Sequence, residues 1–364
     1  MIDTPDTVEL TAGLDFREAR WRPEVFQRFY AFHLRYRAHP GGVYYLIPWL
    51  AERLGWDDES TFWFAALNGN TQNPVTSLLL HRAGPTPDRV DDVVAFWRRN
   101  RERLAWDTDR RYFRTRLDEA LAGYLETVPK GRQAAWWHDV ASSGWEATWA
   151  ACRGIPTFGR LSAWSFAEYV AIAGAPVDCT DLMLGDRAGS RSHRNGLCLV
   201  TGRDALDWHS SNPTFDGRYT EATLDALETD AAAILTEARR RAAGLDYEGD
   251  VGYLTLESAL CTYKSWHRPN RRYPNVYNDM LHDRIRAAEA AWPDADLDVL
   301  WEARAACLPA HLRLEDNPGD PGVHPVKQNH YRLTGEVVMM DREWPSFRNE
   351  FNDAARAGNL GRHR

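Results

Sequence analysis

Apolar side chains recur in this sequence three and four residues apart, and a chain with that spacing over most of its length is committed to helices. Val25, Phe29, Phe32, His33 and Tyr36 fall on one helical face, which the run His39-Pro40-Gly41-Gly42 should stop. Phe113, Leu117, Leu121, Tyr124 and Leu125 repeat the pattern, and Trp137, Trp145 and Trp149 mark a further aromatic-faced helix. An Ala- and Arg-rich helix is expected at about 220–243, with others at 254–266, 278–290 and 296–306. Strand-like alternation is confined to 196–201 and 335–340. The expected fold class is mainly α with minor β hairpins. Residues 1–307 read as one helical domain and 308–364, rich at first in Pro, Gly and Asp, as an irregular C-terminal extension packing on it.

Composition narrows the function classes. With 364 residues, 44% of them hydrophobic, the chain can bury a substantial core. No run of about 18 apolar residues occurs, and the opening Met1-Ile2-Asp3-Thr4-Pro5-Asp6 is acidic where a signal peptide is basic. A cytoplasmic protein without a membrane partner is the expectation. The five cysteines are scattered without a C-x-x-C pair, which predicts reduced thiols and no metal site. A formal net charge of −8 argues against a general nucleic-acid coat. Arginines nevertheless cluster at 98–103, 110–116, 268–272 and 362–364, and at Arg187, Arg191 and Arg194. Interleaved with aromatics, such runs suit a phosphate-tracking surface, and they equally suit solvated helix faces.

No P-loop, dinucleotide fingerprint, H-E-x-x-H, G-x-S-x-G or EF-hand loop is present. Three other segments carry chemistry-bearing residues. The first runs from Gly154-Ile155-Pro156-Thr157-Phe158-Gly159-Arg160 to Pro176-Val177-Asp178. It reads as a helix, a tight Gly-Pro-Gly turn and a second helix followed by a carboxylate. Gly154 and Gly159 leave backbone N–H groups available to a phosphate at a helix N-terminus. In the second, Asn68, Asn70, Gln72 and Asn73 stand beside Phe62-Trp63-Phe64, so that amides could read the edge of an extruded pyrimidine. Local capping competes with that reading, because Asn73-Pro74 is a good helix start and Asn68-Gly69 a turn. In the third, Glu257, Cys261 and Lys264 share a helical face ahead of Arg271 and Arg272. Lysine is scarce here, and a compact ammonium at Lys264 suits a phosphate; a surface ion pair around a packed cysteine suits the spacing as well.

The hairpin with its aspartate resembles the helix-hairpin-helix DNA glycosylases. Gly159, Arg160, Ser162 and Ala163 match their backbone-binding hairpin and Asp178 their aspartate, while Leu161 stands where the bifunctional members carry lysine. The wider pattern is similar to the bacteriophage amino acid:DNA transferases, relatives of the α-glutamyl/putrescinyl-thymine pyrophosphorylases. That pattern comprises Phe29-Tyr30 with His33, Tyr44-Tyr45, the amide run 67–74, the hairpin with Asp178, and Glu257 with Cys261 and Lys264.

The resemblance implies a glycosylase-like helical fold and a thymidine-hypermodification step. Phosphorylated 5-hydroxymethyluracil in phage DNA would lose phosphate or pyrophosphate and gain an amino acid at its 5-methylene carbon. Asp178 would stabilise the developing positive charge or accept a proton. Arg160, Arg191, Arg194, Lys264, Arg271 and Arg272, with Gly154 and Gly159, would hold phosphates, and Asn68, Asn70, Gln72 and Asn73 the flipped base. Glu257 would meet the donor's amino group. No cofactor is implied beyond the free amino acid as co-substrate, and a 5-hydroxymethyluracil DNA kinase would act first. Double-stranded phage DNA is the implied macromolecular partner. A monofunctional glycosylase and a non-catalytic DNA-binding protein remain alternatives on the residues alone.

Overall fold

The computed structural model describes residues 18–35, 43–185, 191–208, 217–267 and 280–307. Among these the regular structure is helical, without a strand. In chain order the α-helices are α1 (Arg22–Arg35), α2 (Val43–Leu54), α3 (Asp58–Thr71), α4 (Pro74–Ala83), α5 (Val90–Asn100), α6 (Leu117–Thr127) and α7 (Gln133–Ser142). They continue as α8 (Trp145–Gly154), α9 (Arg160–Ile172), α10 (Arg191–Val200), α11 (Glu221–Ala242), α12 (Tyr253–Tyr263), α13 (Met280–Ala291) and α14 (Asp298–Cys307). Two compact units result; the described residues of the first are 18–35, 181–185, 191–208 and 217–267, and those of the second 43–180 and 280–307.

The second unit is built around α3. Residues 60–71 are buried on every side of that helix, the pattern of a core helix rather than a surface one. It packs on α9, α4, α7 and α2, and α8 lies against α7 and α9. Asp57 caps its start by accepting from the Ser60 N–H at 2.8 Å. Asn68-Gly69, readable as a turn, lies inside α3. A Cβ at Gly69 would stand 2.7 Å from the Phe166 ring of α9 and 3.2 Å from Phe158, so the missing side chain is what lets the aromatic rings reach the helix. Asn73 caps α4 and Pro74 is its first residue, as the sequence reading expects. The tryptophans 137, 145 and 149 fall on two helices, α7 and α8, because Gly144 at φ 101° breaks the chain between them.

In the first unit α10 and α12 pack most closely, with α1 crossing α10, α11 and α12. The segment 196–201, expected as a strand, belongs to helix α10 through Val200. Its alternation is that of a helix buried on several faces, and Gly196 is required by proximity: a Cβ there would lie 2.2 Å from the Leu260 carbonyl oxygen of α12. Buried polar groups tie α1 to its neighbours: Gln27 donates to the Ile234 carbonyl (2.9 Å) and Tyr30 Oη to that of Gly252 (3.1 Å). The α11 helix starts at a Thr220 cap that accepts from the Thr223 N–H.

The second expected strand at 335–340, the extension 308–364, Arg187, the cluster 268–272 with Arg271 and Arg272, and the stop at 39–42 lie outside the described residues. Among the described residues no helix is long and apolar enough to cross a membrane. Nor do three His, Cys, Asp or Glu side chains there group as a metal site. Cys152 and Cys198 are buried free thiols.

Candidate functional site

The helix-turn-helix expected from the Gly-Pro-Gly spacing is present in the second unit as α8, a turn at 155–159, and α9. Gly159 takes the N-cap position of α9 and, lacking a side chain, makes no side-chain cap hydrogen bond. Both Gly154 and Gly159 are exposed, and a Cβ on either would meet open space. Between them Thr157 adopts φ 72°, a left-handed conformation that costs a β-branched residue about 1–2 kcal/mol.

Arg110 holds that turn. Its guanidinium donates to the Thr157 carbonyl (2.9 Å) and hydroxyl (3.0 Å), and to the Asn70 carbonyl (3.2 Å) and Oδ1 (3.3 Å). Phe113 and Phe158 flank it with ring centroids 4.5 and 4.9 Å away. Arg110 therefore does not belong to a phosphate-tracking surface. It is buried and locks the hairpin turn to the last turn of α3.

The four amides of that region divide by hydrogen bonding. Asn70 is spent on structure, donating to the Ala66 carbonyl and accepting from Arg110. Asn73 accepts from the Thr76 N–H and donates to Asp107 Oδ2. Asn68 and Gln72 differ. Ser77 Oγ lies 3.2 Å from Asn68 Oδ1, and Tyr169 Oη donates to Gln72 Oε1 at 3.1 Å. Their amide nitrogens are buried with no acceptor among the described residues. The indole N–H of Trp106 shares that condition. Its segment is bound to the same helix end by Asp107 N–H to the Thr71 carbonyl (3.0 Å). An unmet buried donor costs about 1–3 kcal/mol, a cost recovered when an acceptor arrives.

Asp178 lies six residues beyond α9 on an irregular segment, its side chain exposed. Arg160, expected to bind phosphate, is 2% exposed. It lies over the Trp164 and Trp149 rings at 4.8 and 5.8 Å.

The remaining candidates belong to the first unit. Glu257 of α12 is buried, with Oε1 3.2 Å from His193 Nδ1 of α10, and Lys264 donates to Ser192 Oγ at 2.5 Å. A carboxylate, an imidazole, a hydroxyl and an ammonium thus sit along one helix crossing. Lys264 starts the 3-10 turn that follows α12, and Cys261 is half-buried. Arg194 is 1% exposed, donates to the Leu184 carbonyl (2.7 Å) and lies 4.2 Å over the Tyr219 ring. Arg191 opens α10. Glu228 of α11 has its carboxyl pushed up to about 7 by burial and by Asp181, against the N–H groups of Leu184 and Leu182 that it accepts. Trp106, Tyr169 and His193 escaped sequence reading, and Arg110 was read only as one of a surface run, since only tertiary pairing with Asn70, Gln72 and Glu257 or burial beside them distinguishes them.

The sequence pattern of the amino acid:DNA transferases matches residues 55–272, more than half of the chain and the whole span from α3 to Lys264. The chain belongs to the amino acid:DNA transferase family. It is accordingly a transferase that joins an amino acid to DNA. A serinyltransferase of Salmonella phage ViI is 27% identical over 295 residues, covering 76% of this chain and 71% of that protein. No solved structure matches this transferase.

Proposed function

We propose that this transferase attaches serine to the 5-methylene carbon of phosphorylated 5-hydroxymethyluracil in duplex DNA, displacing phosphate or pyrophosphate. The observation that carries the reading is the span of the family match. It takes in the amide end of α3, the open α8–α9 turn with Asp178, and the Glu257–Lys264 segment. Serine as donor follows the name of the phage ViI relative. The fold would be a variant of the helix-hairpin-helix glycosylases, with the target base flipped from the duplex. A DNA kinase acting on 5-hydroxymethyluracil must supply the substrate.

In the reaction the C–O bond to the phosphoryl group breaks and the leaving group takes the electron pair. Cationic character then develops at a carbon conjugated with the pyrimidine ring. The amino acid's nucleophilic atom bonds to that carbon and gives up its proton. Asp178, exposed on its segment, would stabilise the charge and accept the proton. Gly154 and Gly159 would let the DNA backbone approach the amides that open α9. Glu257 would face the donor's ammonium, and Lys264 with Arg191 the phosphates.

The test is mass spectrometry of nucleosides from DNA bearing 5-phosphomethyl- or 5-pyrophosphomethyl-uracil, incubated with serine and other amino acids singly. A serine adduct made by the wild type and lost in Asp178→Ala supports the proposal. Abasic sites formed without a donor would replace it with a glycosylase reading, and an adduct with another amino acid alone would overturn the donor.

A further inference from the structure

We propose that the Tyr169–Gln72 pair is the specificity determinant that admits a pyrimidine with a carbonyl at C4 and rejects one with an amine there; this rests on the function proposed above. A primary amide presents a donor and an acceptor of nearly equal size, so an amide that must discriminate has to be held in one orientation. Gln72 ends α3 in a left-handed conformation, φ 54°, with its N–H bonded to the Asn68 carbonyl at 2.7 Å, which fixes where its side chain starts. At the other end the phenol of Tyr169, buried on α9, lies 3.1 Å from Oε1. A phenol donates more readily than it accepts, so it claims the amide oxygen and leaves the NH₂ outward from that bond.

The result is a buried donor without an acceptor among the described residues, and only 6% of the residue reaches the surface. Its neighbours have the same polarity. Asn68 Nδ2, one turn earlier on α3, and Trp106 Nε1, on the segment bonded to Thr71, are likewise buried donors lacking acceptors. A group of donors alone suits a ring that offers oxygens. A uracil ring presents O4 where a cytosine ring presents N4–H₂, and two opposed donors cannot share a hydrogen. Tyr169 in this scheme is a positioning residue acting through Gln72, and Gln72 is the group that meets the base.

The experiment compares kcat/KM on matched duplexes carrying the 5-phosphomethyl derivative of uracil or of cytosine, for wild type, Gln72→Glu and Tyr169→Phe. Circular dichroism and thermal melting establish that each variant is folded. The wild type is expected to favour the uracil ring by roughly tenfold to a hundredfold, the discrimination a wrong base edge imposes. Gln72→Glu, which replaces the donor by an acceptor, is expected to invert the preference. Tyr169→Phe, which frees the amide to turn over, is expected to reduce it at least fivefold. A purely structural role for Tyr169 would lower both rates together and leave the ratio alone. Adduct formation with an unchanged ratio in both variants overturns this inference and leaves the proposed function standing. No adduct from the wild type on either ring overturns both.

Discussion

Arg110 donates to both the carbonyl and the hydroxyl of Thr157, and through the same guanidinium to Asn70, so one buried cation sets the hairpin turn against the amide-bearing end of α3. The strained Thr157 is affordable because that clamp over-determines it.

Replacing Arg110 by lysine keeps the charge but not the planar fork, so a single ammonium cannot span Asn70 and Thr157 together. The loss is expected at about 3 kcal/mol, since hydrogen bonds to charged groups each contribute about 1.5–3. The unfolding midpoint should fall by roughly 5–10 °C. A midpoint within a degree of the wild type would mean that the clamp carries no stability.

Two glycines should respond very differently to alanine. At Gly69 the new methyl meets the Phe166 and Phe158 rings, which can tilt, and a cost of about 1–3 kcal/mol is expected, relieved in part by Phe166→Leu. At Gly196 it meets the Leu260 carbonyl of α12, and backbone cannot tilt away. Gly196→Ala is expected to be recovered poorly as folded protein, whereas Gly69→Ala folds. Denaturant titration of both variants ranks them, and equal stability would contradict the close α10–α12 crossing.

The same glycines show what sequence periodicity can and cannot reach. The ends of α9 and α11 were legible because Gly159, Gly174 and Thr220 punctuate them by local chemistry. Gly69 and Gly196 suggested a turn and a strand because glycine is ambiguous until a neighbour is known. Their reasons are Phe166 and Leu260, 97 and 64 positions away in sequence. The hairpin and the N-cap role of Asn73 were legible for the same local reason. The inward turn of Arg110 and Arg160 was not: an arginine among arginines carries no mark of which one the core will take.

Glu228 gives the first unit a pH dependence of definite sign. Its carboxyl is raised to about 7 from an ordinary 4.5, burial being the larger cause and Asp181 the second. An acid whose folded value is raised contributes stability that is full below about 4.5 and is lost as pH rises through about 7. Glu228→Gln should therefore match the wild type at the acid end of that window and exceed it at the alkaline end. Denaturation midpoints of the two proteins, measured across the window, provide the check; a constant difference between them would sink the assignment.

Salt dependence separates cations that meet DNA from those that hold the protein together. Each phosphate neutralised on duplex DNA contributes about 0.9 to the slope of log affinity against log salt. Lys264 is half-buried and donates to Ser192 Oγ; if it meets a phosphate as proposed, Lys264→Met is expected to weaken DNA binding and flatten the slope by about 0.9. Arg194 is enclosed by the Leu184 carbonyl and the Tyr219 ring, so Arg194→Met is expected to lower the unfolding midpoint and leave the slope unchanged. The contrast matters because the chain carries a net charge of −8 and must approach a polyanion. Identical slopes for Lys264→Met and the wild type would move the phosphate contacts elsewhere. A flattened slope in Arg194→Met would require that helix α10 releases its arginine when DNA binds.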